Sequence, residues 1–235
     1  MVCDSLSAVL PAFNEEENIE LAATAMAETL RALPLRDWEV VIVDDGSVDR
    51  TGEIADRLAR KDPQHIRVIH HSLNRGYADA LKTGVAGARH QLIFYTDADN
   101  QFDVRELTHL LPLIEDADIV CGFRIYRFDP LTRLVLSWGF NLLVRILFRV
   151  TVRDIDCAFK LFRREVFDHV TIESKQFFVS AEVLAKARRV GFRMVEVGVR
   201  HYPRSIGRST VRPSDIPSTL IELARLWITM HCRRS

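Results

Sequence analysis

Short apolar runs alternate with segments of helical period along the first hundred residues, and the alternation repeats four times. Residues 7–11 read as a strand that Pro11 closes, because proline cannot continue a ladder. Residues 18–33 space Ile19, Ala22, Ala23, Met26, Leu30 and Leu33 at helical intervals until Pro34 stops them. A second strand over 38–43, a helix over 51–61, a third strand over 66–69 and a helix over 77–89 lead to a fourth apolar run that begins at Leu92. Further on, the pattern predicts a strand over 117–122, helices over 131–149 and 177–190, a strand over 192–199 and an amphipathic helix over 213–235. Strands and helices alternating over short connections predict an α/β fold, a mostly parallel sheet flanked by helices. In such sheets ligands bind beyond the carboxyl ends of the strands.

Three of the first four strand ends carry polar groups that a buried strand has no use for. They are Pro11-Ala-Phe13-Asn-Glu15, Asp44-Asp45-Gly-Ser47 and Asp97-Ala98-Asp99-Asn-Gln101. Desolvating an unpaired carboxylate costs several kcal/mol, and a divalent cation with oxygen ligands removes that cost. Residues of a strand alternate faces, so Asp97, Asp99 and, in an extended chain, Gln101 share one face. Helix capping is the plainer use of such carboxylates, for Asp44 and Asp49 in particular. No Gly-x-Gly-x-x-Gly follows the first strand and no Gly-Lys-Ser/Thr loop occurs, which argues against a dinucleotide enzyme or a nucleoside triphosphatase.

The formal net charge of zero conceals an asymmetry. Residues 1–123 carry 11 basic and 22 acidic side chains, and residues 124–235 carry 21 and 10. An acidic half suited to a metal therefore precedes a basic half suited to phosphate or an anionic surface, unless the two halves simply neutralise each other. Cys3, Cys121, Cys157 and Cys232 are scattered without zinc-like spacing, which fits a reducing setting. Neither a signal peptide nor an apolar run of about 20 residues is visible, so no transmembrane span is expected.

Six ordered motifs then make a resemblance. Val9-Leu-Pro-Ala-Phe-Asn-Glu-Glu16, Val43-Asp-Asp-Gly-Ser-x-Asp-x-Thr51, Asn74-x-Gly-Tyr-Ala-x-Ala-Leu-Lys-x-Gly84 and Asp97-Ala-Asp-Asn-Gln101 occur in sequence. Asp154-Ile-Asp-Cys-Ala-Phe-Lys-Leu-Phe162 and His201-Tyr-Pro-Arg-Ser-Ile-Gly-Arg-Ser209 follow them. The chain resembles the inverting family 2 glycosyltransferases, in particular the polyprenyl-phosphate branch that includes dolichol-phosphate mannosyltransferase. The resemblance implies a GT-A-like fold, a nucleotide-sugar donor, Mg²⁺ or Mn²⁺, and a polyprenyl-phosphate acceptor. It implies that Pro11, Phe13, Glu15, Asp44, Asp45, Lys82, Asp97, Ala98 and Asp99 bind the donor, with Asp97, Asp99 and Gln101 on the metal. It also implies an acceptor site of Arg124, Arg127, Arg133, Lys160, Arg204 and Ser209, with Asp99, Asp156, Arg124 and Arg204 closest to the chemistry. Asn100 and Ala158 stand where many relatives have leucine and glycine.

The basic half shows where a lipid acceptor would be met. Read as a helix, residues 131–149 place Arg133, Ser137, Asn141, Arg145 and Arg149 four apart on a slowly drifting stripe, and leucine, isoleucine, phenylalanine and Trp138 fill the rest. A helix so apolar, too short to span and flanked by arginine, fits a membrane interface. Burial against the core, in a homodimer or on a membrane-protein partner is the alternative. The expectation is thus a catalytic domain over 1–212, with 131–149 as an interfacial insert and 213–235 as a C-terminal amphipathic helix. It would lie peripherally on the cytosolic membrane face, with no nucleic-acid partner. A transferase acting on a soluble sugar or protein hydroxyl, which would need a general base, and a non-catalytic membrane-bound scaffold are the competing readings.

Overall fold

The computed structural model describes residues 4–126, 131–174, 178–203 and 216–232. Seven strands form one sheet: β1 (Ser5–Ala12), β2 (Asp37–Asp44), β3 (Ile66–His70), β4 (Leu92–Thr96), β5 (Ile119–Arg124), β6 (Phe159–Arg163) and β7 (Met194–Val199). Their order is β3-β2-β1-β4-β6-β5-β7. All neighbours run parallel except β6, which lies antiparallel between β4 and β5. Helices α1 (Ile19–Ala32), α2 (Thr51–Lys61) and the short α4 (Leu107–Leu110) cover one face. The other face carries α3 (Tyr77–Gly87), α5 (Leu131–Phe148), α6 (Glu165–His169), α7 (Val179–Val190) and α8 (Ile216–Cys232).

Strand alternation builds the two cores directly. Leu6, Ala8 and Leu10 of β1 pack under α1, whereas Val9 faces α3. Gly84 lets α3 lie close on the sheet, because a Cβ there would stand 2.2 Å from Val9 Cγ1 and 3.1 Å from Val43 Cγ2. At the amino ends of the strands, the buried Glu39 of β2 accepts from Ser7 Oγ at 2.7 Å, Arg67 Nε at 2.8 Å and the Arg89 amide at 2.8 Å. Arg67 Nη2 continues to the Gly87 carbonyl at 2.7 Å, so one carboxylate ties three strands to the end of α3.

The antiparallel β6 and the short helices α4 and α6 are additions to the expected elements. The expected helix over 131–149 ends at Phe148, since Arg149 turns to φ +55°. The expected helix over 213–235 is observed as Ile216–Cys232. Arg127, Arg204 and Ser209 lie outside the described residues, as does the side chain of Arg133.

Burial works to raise the Glu39 pKa, but the hydrogen bonds from Arg67, Ser7 and Arg89 and the charge of Arg67 hold it below 4.5. A carboxylate depressed in this way contributes stability above its unfolded pKa, and loses it as pH falls through the folded value. Glu39→Ala is expected to cost about 3–5 kcal/mol at pH 7, because Arg67 then loses its buried counter-charge. Urea melts at a series of pH values check this. The gap between parent and Glu39→Gln narrows as the pH drops below the ordinary glutamate range.

Candidate active site

The loops that follow β1 and β2 lock into each other. The amides of Asn14 and Glu15 donate to Ser47 Oγ at 3.0 Å and Thr51 Oγ1 at 2.8 Å. In return the Val48 amide donates to Asn14 Oδ1 at 2.9 Å and the Arg50 amide to Glu16 Oε2 at 3.1 Å. Gly46, at φ +69°, sits where a Cβ would meet the Leu73 carbonyl carbon at 2.4 Å, so only glycine permits this turn. Phe13, 39% exposed, projects from this interlocked floor.

Asp44 and Asp45 organise this corner. Asp44 accepts from the Ser47 amide at 3.0 Å and contacts His70 Nδ1 at 2.8 Å. Asp45 contacts His71 Nδ1 at 2.6 Å and accepts from the amides of Arg75 at 2.9 Å and Gly76 at 2.8 Å. The two residues are 5% and 3% exposed. Both oxygens of each carboxylate expected to face a donor are engaged by protein groups, those of Asp44 holding Ser47 and His70 and those of Asp45 shaping the loop 71–76. The ammonium of Lys82, likewise expected at the donor, ties α3 to the 171–174 segment, donating to Asp79 Oδ1 at 2.9 Å and the Ser174 carbonyl at 2.7 Å.

The end of β4 differs in kind. Asp97 Oδ1 is shut off from solvent and has no hydrogen-bond partner. Burial pushes the Asp97 pKa up to about 7, and the charges of Asp99 and Glu15 push the same way, against a hydrogen bond from Tyr77 and the charge of Lys160. The negative charges of Asp99 and Glu15 thus bear on the buried Asp97, and a cation relieves both that repulsion and the orphaned oxygen. Among the described residues no three His, Cys, Asp or Glu side chains are gathered to hold a cation by themselves. The arrangement fits Mg²⁺ or Mn²⁺ completed by ligand oxygens, because Mg²⁺ is ordinarily held through one or two carboxylates plus phosphates.

The flanking loop is firmly placed. Asp99 Oδ1 accepts the Gln101 amide at 3.2 Å. Asn100, at φ +58°, donates to the Asn18 carbonyl at 3.1 Å, and Asn18 donates to Glu15 Oε2 at 2.6 Å. Asn100 therefore links the β4 loop to Glu15 through Asn18. Gln101 Nε2 donates to the Tyr202 carbonyl at 3.0 Å, and Phe102 pairs with His201. Tyr77, within the Asn74–Gly84 motif but outside the expected site residues, hydrogen-bonds Asp97 from the start of α3.

Because β6 is antiparallel, the loop before it reaches this same rim. Phe159 pairs with Thr96, the last residue of β4, and so the exposed Asp156 is brought beside the end of that strand. Asn141 of α5 accepts the Ile155 amide at 2.9 Å. Lys160, fully buried, donates to the carbonyls of Ile155, at 2.9 Å, and Cys157. Arg124 grips Asp154 through Nε at 2.8 Å and Nη2 at 2.7 Å, both side chains being 10% exposed. Arg124 and Lys160 were expected on an acceptor phosphate. Burial and internal bonding make them instead the supports of the shelf that carries Asp156.

A family model described as "Glycosyl transferase family 2" matches residues 7–171. The chain is 37% identical over 209 residues to glycosyltransferase AglD of Haloferax volcanii, covering 85% of this chain and a third (33%) of that protein. It is 31% identical over 228 residues to polyprenol monophosphomannose synthase of Mycolicibacterium smegmatis, covering 92% of this chain and 84% of that one. The fold superposes on glucosyl-3-phosphoglycerate synthase of Mycobacterium tuberculosis, solved with Mn²⁺ and uridine diphosphate, with a TM-score of 0.71 at 19% identity. That match covers 96% of this chain and 79% of the other.

The shelf and its passenger separate in mutation. Arg124→Ala strands a buried Asp154 carboxylate and is expected to cost about 3–5 kcal/mol of stability, whereas the exposed Asp156→Asn stays within about 0.5 kcal/mol of the parent. Chemical denaturation of the two variants distinguishes support from site.

Proposed function

Because the chain belongs to glycosyl transferase family 2, we propose that it moves a hexose, with inversion, from a nucleotide-sugar of the GDP-mannose or UDP-glucose type to a polyprenyl phosphate at the cytosolic membrane face. The observation that carries this reading is the double character of α5. One side reaches through Asn141 to the loop bearing Asp156, and the other exposes Val135, Leu136, Trp138, Leu142 and Ile146. Reaction rim and apolar surface are thus joined by a single helix. The name of the 31%-identical relative, a polyprenol monophosphomannose synthase, supports the same acceptor class.

The donor lies across the carboxyl ends of β1, β2 and β4. Phe13 and Pro11 pack against its base, Glu15 meets the ribose, and the interlocked floor keeps all three in place before the donor arrives, which limits the entropy lost on binding. Asp97, Asp99 and Gln101 hold the cation, with Ala98 packed beneath them. The metal when bound supplies Lewis-acid neutralisation of the departing diphosphate. Tyr77 and the Asn100–Asn18–Glu15 chain keep the β4 loop in register for it. A phosphate acceptor is already anionic at neutral pH, so Asp156 has no proton to remove and acts by positioning. Arg127, Arg133, Arg204 and Ser209 remain the groups to meet the acceptor phosphate, bidentate contact being the strength of arginine.

Among the described residues no helix is long and apolar enough to cross a membrane. Docking then rests on the exposed side of α5, where each apolar side chain fully buried in lipid contributes on the order of 1.5–3 kcal/mol.

The direct test incubates a panel of labelled nucleotide-sugars with undecaprenyl phosphate and Mn²⁺ and follows label into the organic phase. Label confined to free sugar for every donor refutes the acceptor. Asp99→Asn is expected to retain the parent's melting temperature and to weaken Mn²⁺-dependent nucleoside-diphosphate binding about 10–100-fold by calorimetry. Leu136→Glu/Ile146→Glu sets two charges on the exposed side of α5 and spares its core-facing residues. It is expected to abolish flotation with liposomes, and undiminished flotation refutes the docking face.

A further inference from the structure

We propose that the cleft between the C-terminal ends of α5, α7 and α8 binds an anionic phospholipid, with its phosphate on Arg149, Arg188 and Arg189 and its first acyl methylenes against Ile146, Phe148, Trp227 and Met230. The cleft has a volume of about 730 Å³, within the ordinary range of about 300–1,000 Å³ for sites that take small amphiphiles. Its wall and its mouth call for different halves of one ligand. Phe148 and Met230 are buried, while all three arginines are exposed.

Two of the arginines are placed by backbone oxygens, which carry no full charge to offset theirs. Arg188 Nε donates to the Arg149 carbonyl at 3.3 Å, and Arg189 Nη1 donates to the Met230 carbonyl. Among the described ion pairs none involves Arg149, Arg188 or Arg189. Like charges gathered at one mouth repel, and an anion removes the repulsion. A phosphate that accepts several guanidinium donors suits them best.

The cleft is separate from the reaction rim. Gly191 ends α7, and β7 then starts at Met194 beside Ile119, the first residue of β5. Asp97 follows the last residue of β4, which runs parallel to β5, so the two sites lie toward opposite ends of the sheet. A polyprenyl phosphate held here would keep its phosphate away from Asp156, and the occupant is therefore a bulk lipid. The exposed row on α5 ends at Ile146, in the wall of the cleft. The site rests on the membrane reading only for how the lipid arrives, and a soluble short-chain lipid tests it without a bilayer.

The experiment titrates the full chain with dihexanoyl phosphatidylglycerol below its micellar concentration, by calorimetry. Saturable one-site binding is expected, weakened at least about tenfold in Arg149→Asn/Arg188→Gln by the loss of two charged donors. Asparagine is chosen at 149 because it tolerates the left-handed backbone there. Arg189 is spared because it anchors α8. The pair leaves melting temperature and transferase activity in detergent unchanged. A brominated phosphatidylglycerol quenches tryptophan emission in the parent, and most of that quenching is absent from Trp227→Phe. Equal binding of dihexanoyl phosphatidylcholine, unchanged affinity in the double variant, or inorganic phosphate binding as tightly as the lipid each overturns the proposal. Loss of flotation in Val135→Glu/Leu136→Glu, which leaves the lining of the cleft untouched, with retained short-chain binding separates failure of docking from failure of this site.

Discussion

The ammonium of Lys160 is the contact on which most of this molecule turns. A lysine with no exposed surface lies in the middle of the sheet, its nitrogen 5.6 Å from the centre of the Tyr95 ring. Desolvating it is costly, and the cost is met by the carbonyls of Ile155 and Cys157 and by surrounding groups that favour the charged form. Those same bonds fix the loop before β6. The cation also lowers the pKa of Asp97 across the neighbouring strand, so it partly offsets the crowding at the rim. Strand order, shelf and candidate cation site share one buried charge.

That charge also explains what was legible and what was not. The four alternations of strand and helix were readable because each strand is an unbroken apolar run and each helix keeps its period. Pro34 and Pro63 mark where two of the helices stop. β6 escaped because Phe-Lys-Leu-Phe-Arg puts a lysine where a central strand ordinarily has none. The motifs fall at the carboxyl ends of β1, β2 and β4, which the sheet brings to one rim, yet they do not distinguish residues that face a ligand from residues that hold the rim. Asp45, Lys82, Arg124 and Lys160 all read as open polar groups in one dimension, and their partners come from segments 26 to 92 residues away or from the turn of a strand unseen in the pattern. Asp97 and Asp99 stood out because they end an unbroken apolar run, where a buried strand has no use for carboxylates.

The charge asymmetry acquires a meaning in three dimensions. Among the described ion pairs only Arg163–Asp118 and Arg200–Glu106 join the acidic and basic halves; the rest close within one half or the other. Among the described residues the halves do not cancel by pairing. Negative charge collects around the ends of β1 and β4, and arginine collects along α5 and α7, so the molecule keeps separate fields for a cation and for phosphate.

The position of β6 sets a limit on how this chain can be cut. It belongs to the basic half in sequence but lies between β4 and β5, which belong largely to the acidic half. A fragment that stopped at the change of charge sign would leave the edges of β4 and β5 bare, with two rows of unpaired backbone groups inviting association. Splitting the chain for complementation or for a two-part sensor therefore has to spare the segment from β4 through β6. The connection between β2 and β3, at the far edge of the sheet, is the better place for a break.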